Sequence, residues 1–93
     1  MLFKKKDLKY TNYFLVDVLR KRPYLTEDMI KNVILHHEEK EIQINGRTSY
    51  FGYEPSLKKY LRVITELDKT TKEELIHNAY PDRTFTMKKR GKT

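Results

Sequence analysis

At Lys40 the spacing of apolar residues changes from the three-and-four rhythm of a helix to strict alternation, and shortly afterwards the chain reads Asn45-Gly46. Ile42 and Ile44 alternate with polar neighbours before that dipeptide; Phe51 and Tyr53 do so after it. Asn-Gly between two alternating runs is the strongest short-range hairpin signal, because both residues tolerate the positive φ of a tight turn. A chain with this feature near its middle builds its second half as an antiparallel sheet. With a two-residue turn, Ile44 faces Arg47, Ile42 faces Ser49 and Lys40 faces Phe51. Phe51 and Tyr53 then share the isoleucine face, and Thr48 and Tyr50 take the other. Glu54-Pro55-Ser56 ends the second strand.

Two helices precede this hairpin. Leu8, Leu15, Val18 and Leu19 recur at helical spacing with Phe14 beside them, which predicts a helix from about Asp7 to Lys21. Pro23 ends it by disfavouring helical geometry at Arg22. Thr26 is an N-cap residue followed by Glu27 and Asp28, acids placed where the macrodipole favours them. Leu25 staples onto Ile30, and Met29, Ile30, Val33 and Ile34 form one apolar stripe that fades near His36-His37. Beyond the hairpin, Tyr60 to Thr65 reads as a strand with Leu61 and Val63 on one face and Tyr60, Arg62 and Ile64 on the other. A last strand runs from about Leu75 to Tyr80 and is closed by Pro81-Asp82-Arg83. Leu2-Phe3 among lysines reads as a short edge strand. The expected architecture is α+β: two helices packed on one face of a twisted antiparallel sheet of three to four strands.

Ninety-three residues make a single domain, 1–93, with no room for a second core. The formal net charge of +7 lies entirely at the ends. Residues 1–9 hold four lysines against Asp7, residues 88–93 hold four basic residues and no acid, and the body between them is neutral. Basic ends raise encounter rates with any polyanion but read no sequence and perform no chemistry. The absence of cysteine excludes a disulfide framework and a thiolate nucleophile or metal ligand. A cytoplasmic location without membrane insertion is the expectation, since no apolar run is long enough to span a bilayer.

No metal or cofactor is expected. His36 and His37 are adjacent and diverge by about 100° on a helix, so they cannot ligate together as residues four apart do. No glycine spacing resembles a phosphate loop. The polar strand residues are more informative. Metal-independent RNA cleavage needs a base for the 2′-hydroxyl, cations for the charge on phosphorus and an acid for the leaving 5′-oxygen. His77, Arg62 and Arg83 supply the acid–base and phosphate-binding types, and Arg47, Tyr50 and Tyr60 are candidates to hold substrate. Each has a plain structural use as well. His77 can hydrogen-bond within the sheet, Arg62 can pair with Glu66 or Asp68, and the tyrosines can rim a small core. If the Arg62 head is solvated on an open face, Arg62→Met should cost little stability.

The run Arg22-Pro23-Tyr24-Leu25-Thr26-Glu27-Asp28-Met29-Ile30 is followed by Asn45-Gly46-Arg47 with Tyr50-Phe51-Gly52-Tyr53. Lys59-Tyr60-Leu61-Arg62-Val63 and Ile76-His77-Asn78-Ala79-Tyr80-Pro81-Asp82-Arg83 come next. Together they resemble small prokaryotic domains grouped with BrnT-like and RelE-like toxins, over about residues 12–85. The resemblance implies a microbial-RNase-like fold and a metal-independent endoribonuclease acting on RNA, in some members on ribosome-associated mRNA. It also implies neutralisation by a protein antitoxin. On this chain it implies phosphate binding by Arg62 and Arg83, acid or base work by His77, and substrate contacts from Arg47, Tyr50 and Tyr60. Members of the group often carry a histidine near the start of the first helix, where this chain has Tyr10 to Phe14. A non-catalytic RNA- or ribosome-binding module and a small protein-interaction domain are the competing readings, with a monomer or small homo-oligomer expected.

Overall fold

The first helix begins at a cap that is not obvious in the sequence. The Thr11 hydroxyl accepts a hydrogen bond from the Phe14 N–H at 3.1 Å, satisfying a donor that the helix itself cannot. In the computed structural model, which describes residues 8–85, this helix (α1) covers residues 12–21. The expected strand at Leu2-Phe3 and the basic run 88–93 lie outside the described residues. Phe14–Val18 form a π-helical stretch closed by the Leu19 N–H on the Phe14 carbonyl, and Leu19–Lys21 finish as α-helix. The wider turn brings Phe14 and Val18 onto the buried side and leaves Leu15 50% exposed, so Leu15 is not the core residue its spacing predicts. Helix α2 spans Glu27–Leu35 and starts as expected, with the Thr26 hydroxyl accepting from the Met29 N–H at 3.2 Å. Leu25 and Ile30 are both buried in the core.

Four strands follow: β1 (Glu39–Ile42), β2 (Arg47–Glu54), β3 (Lys59–Leu67) and β4 (Glu74–Pro81). They form one sheet in the order β1-β2-β3-β4 with every pair antiparallel. The fold is therefore α+β, with the helices covering one face. Val33 and Ile30 of α2 and Phe14 and Val18 of α1 pack with Tyr50, Leu61, Val63, Ile76 and Ala79 of the sheet.

The hairpin register is shifted by one residue from the expected one. Glu39 pairs with Phe51 and Ile42 with Thr48, because the loop has three residues rather than two. The Gln43 N–H donates to the Arg47 carbonyl at 2.8 Å, and the Gly46 N–H to the Gln43 carbonyl at 3.0 Å. Gly46 takes φ +88°, the left-handed position that closes a three-residue hairpin loop. The slip moves the isoleucines off the face of Phe51: Ile42 is 74% exposed and Ile44 fully so.

At Gly52 the sheet and α2 come close. A Cβ there would lie 3.3 Å from the Val33 Cα and 3.5 Å from the His37 Cα, both backbone atoms. Gly52→Ala should cost about 1–3 kcal/mol by forcing α2 outward. Urea unfolding checks it, and a loss below about 0.5 kcal/mol would show that α2 yields freely.

Two hydroxyls of the helix-side core, on Tyr50 and Thr65, share one carboxylate at its exposed border. The Tyr50 and Thr65 hydroxyls donate to Glu74 at 2.7 and 2.8 Å. Burial, and then the hydrogen bond and charge of Glu74, push the Tyr50 phenol far above its ordinary value. The neutral phenol is thus favoured in the fold, and the unfolded chain ionises first. Stability should fall as pH rises past about 10, by up to about 1.4 kcal/mol per pH unit from this group. Tyr50→Phe should begin about 1 kcal/mol less stable and fall less steeply, which denaturant unfolding between pH 9 and 11 measures. Parallel slopes for the two proteins would refute it.

Between β3 and β4 the pairing skips a residue. Ile64 faces Asn78 but Thr65 faces Ile76, which leaves His77 as a bulge. The outer side of β4 is covered at Ile76 by the chain entering α1. The Thr11 N–H donates to the Ile76 carbonyl at 2.9 Å, and the Ile76 N–H to the Lys9 carbonyl at 2.8 Å, a parallel bridge centred on Tyr10. The outer side of β1 carries no strand among the described residues, and all four of its residues are exposed.

Candidate functional site

The sheet face away from the helices holds most of the polar residues singled out above. Alternation on β2 and β3 presents Arg47, Ser49 and Phe51 beside Arg62 and Glu66, and Tyr80 lies opposite Arg62 on β4. Two groupings arise on this face, one about Arg62 and one about His77.

Arg62 is not the solvated cation expected of an open face. Its side chain is 21% exposed, with Nε donating to the Ser49 hydroxyl at 3.2 Å and Nη1 to Asp82 at 3.3 Å. Glu41 lies 3.8 Å from Nη2, and the guanidinium sits over the Phe51 ring at 5.0 Å and the Tyr80 ring at 5.9 Å. Its carboxylate partners are Asp82 and Glu41 rather than Glu66 or Asp68. Asp82 does a second job, accepting from the Phe85 N–H at 3.0 Å, and Phe85 stacks on Phe51 at 4.6 Å between centroids. Together these residues border an open groove of about 400 Å³.

The second grouping owes its geometry to the bulge, a device that re-aims a side chain. His77 Nδ1 lies 3.2 Å from Glu66 Oε1 and 3.2 Å from the Thr11 hydroxyl oxygen. The ring stacks on Tyr13 at 5.0 Å. The hydrogen bond at Nδ1 is with the Thr11 hydroxyl, the Glu66 carboxylate lies beside it, and among the described residues Nε2 is left to face a ligand. The same Glu66 oxygen is 3.6 Å from an Arg47 guanidinium nitrogen, so one carboxylate joins Arg47 and His77.

The six candidates do not converge. Arg47 and His77 meet through Glu66. Arg62 is four residues from Glu66 on β3, about 13 Å at 3.3 Å per residue, and belongs to the other grouping. Arg83 is exposed in the helical segment 83–85 that Asp82 caps after β4, six residues beyond His77. Tyr60 borders the Arg62 end, its hydroxyl donating to Glu38 at 3.0 Å. Tyr50 is a correction: it is 5% exposed on the helix side of the sheet, its hydroxyl committed to Glu74, and no substrate can stack on it.

Glu66, Thr11, Tyr13, Glu41 and Asp82 complete these groupings and were not singled out. Glu66 was within reach of sequence reasoning, because it shares the strand parity of Arg62. Thr11 and Tyr13 carried no signal, since their role depends on α1 passing the edge of β4. Among the described residues no group of three or more His, Asp or Glu is placed to hold a metal ion. No helix among them is long and apolar enough to cross a membrane. Comparison with protein-family models, with curated proteins and with solved structures gives no match to this chain.

Proposed function

We propose that the protein is a toxin-like, metal-independent endoribonuclease with a RelE-like arrangement of helices and sheet, acting in the cytoplasm and restrained by a protein antitoxin. The observation that carries this reading is the imidazole of His77, hydrogen-bonded at Nδ1 to Thr11 and set beside Glu66, with Arg47 against the same carboxylate. His77 Nε2 takes the proton of an RNA 2′-hydroxyl, whose oxygen attacks the adjacent phosphorus. Arg47 offsets the negative charge that develops on the phosphoryl oxygens. The bond to the 5′-oxygen breaks, that oxygen takes a proton from solvent, and the products are a 2′,3′-cyclic phosphate and a 5′-hydroxyl. Arg62, engaged by Asp82 and Ser49, takes no part in this step, and the exposed Arg83 contacts flanking RNA.

The test is incubation of the purified protein with single-stranded RNA in EDTA, on free RNA and on translating ribosomes, with analysis of the product ends. Cleavage to a cyclic phosphate is expected, with His77→Ala slower by about 10²–10⁴-fold. Cleavage that His77→Ala leaves unchanged would overturn the assignment. A second reading, RNA or ribosome binding without cleavage, is favoured by the engagement of the Arg62 guanidinium with Asp82 and Ser49, which withdraws it from chemistry. It predicts a complex with the same RNA that weakens steeply with salt and yields no product.

A further inference from the structure

The groove around Arg62 has a character that RNA binding does not use. Among the described residues Glu39, Glu41 and Asp82 line it with one guanidinium, an excess of two negative charges there on a chain whose net charge is +7. Its walls are the rings of Phe51, Tyr80 and Phe85. That combination already receives a guanidinium from within the chain, since Arg62 lies over two of these rings and against two of these carboxylates. One border of the groove is β1, whose outer backbone groups meet no strand among the described residues.

We propose that the β1 edge and this groove together form a docking surface for an extended, cationic segment of a partner protein. The segment adds a strand beside β1, where main-chain hydrogen bonds supply affinity without regard to sequence. Side chains on one face of a strand recur every second residue, about 6.6 Å apart, and Glu39 and Glu41 are themselves two residues apart on the groove side. The matching segment therefore carries Arg or Lys at alternate positions, with the cations over Glu39 and Glu41 and one reaching the aromatic walls. The carboxylates disfavour phosphate within the groove, so this surface is separate from the His77–Arg47 end and does not depend on RNA cleavage.

The test uses a fluorescein-labelled heptapeptide of alternating arginine and threonine, followed by anisotropy with the full chain. The overall positive charge of the protein opposes capture of a cationic peptide, so attraction must come from a local site. Binding is expected, weakened at least 10-fold by Glu39→Gln/Glu41→Gln. Those residues are exposed, so this variant should unfold at the same denaturant midpoint as the parent. A peptide of the same composition with its arginines in one block should bind at least 5-fold more weakly. No binding, or binding that the double variant leaves unchanged, overturns the proposal. Equal affinity for the block peptide overturns the strand pairing. The chain's own Lys88, Lys89, Arg90 and Lys92 are also cationic. If the peptide binds only when these four are changed to Gln, the groove belongs to that segment and the partner assignment fails.

Discussion

Phe14→Ala should remove about 3–5 kcal/mol of unfolding free energy, the range for an aromatic truncated at a fully packed site. Phe14 is 2% exposed, sits where α1 meets the sheet and stacks on Tyr10 at 5.2 Å between centroids. Small domains are stable by only about 5–15 kcal/mol, so such a loss removes a large part of the total. At roughly 4–8 °C per kcal/mol for a domain of this size, the midpoint should drop by at least about 12 °C. Leu15→Ala is the control. It removes a similar apolar residue one position along the same helix, yet should change stability by less than about 0.5 kcal/mol because Leu15 is half exposed. Calorimetry on both variants decides the matter. Equal losses would mean that α1 packs through a conventional α-turn, with Leu15 in the core.

Arg62→Met should cost about 2–3 kcal/mol. The methionine can follow the aliphatic stem over Phe51, so the loss is that of the charged head. Asp82 is only 11% exposed on its side chain and would lose the guanidinium opposite it. Breaking one side of a partly buried ion pair is costly because the remaining charge stays desolvated. The double change Arg62→Met/Asp82→Asn should recover at least 1 kcal/mol of that loss, since an amide needs no counter-charge and its oxygen can still accept from the Phe85 N–H. Chemical denaturation of the four proteins in this cycle is the measurement. If Arg62→Met alone is neutral, the head is solvated and Arg62 is free to bind a phosphate.

The difference between that result and the one expected from sequence shows where sequence reading reaches its limit. Alternation placed Arg62 correctly on the face opposite Leu61 and Val63, because strand parity is a local property. It could not show that Asp82 and Glu41, twenty residues away on either side, arrive at the same guanidinium. The N-cap at Thr26, the stop before Pro23 and the order of the last two strands were legible for the same local reason. The hairpin register was not, because Asn-Gly serves both a two-residue turn and a three-residue loop with Gly46 in its left-handed position. The surroundings of His77 were hidden more deeply. They need a bulge, a skipped partner and a threonine sixty-six residues earlier in the chain, none of which leaves a periodic trace.

Among the described residues the two borders of the sheet are unequal: the entering chain crosses β4 at Ile76, and β1 has no such cover. A filament grows by joining a bare border of one molecule to a different bare border of the next, and the described residues offer one with its full length exposed. Whatever strand reaches β1, from a second copy or another protein, consumes that border. Association by this route therefore terminates at one-to-one stoichiometry, giving a discrete complex where a sheet bare on both sides would polymerise.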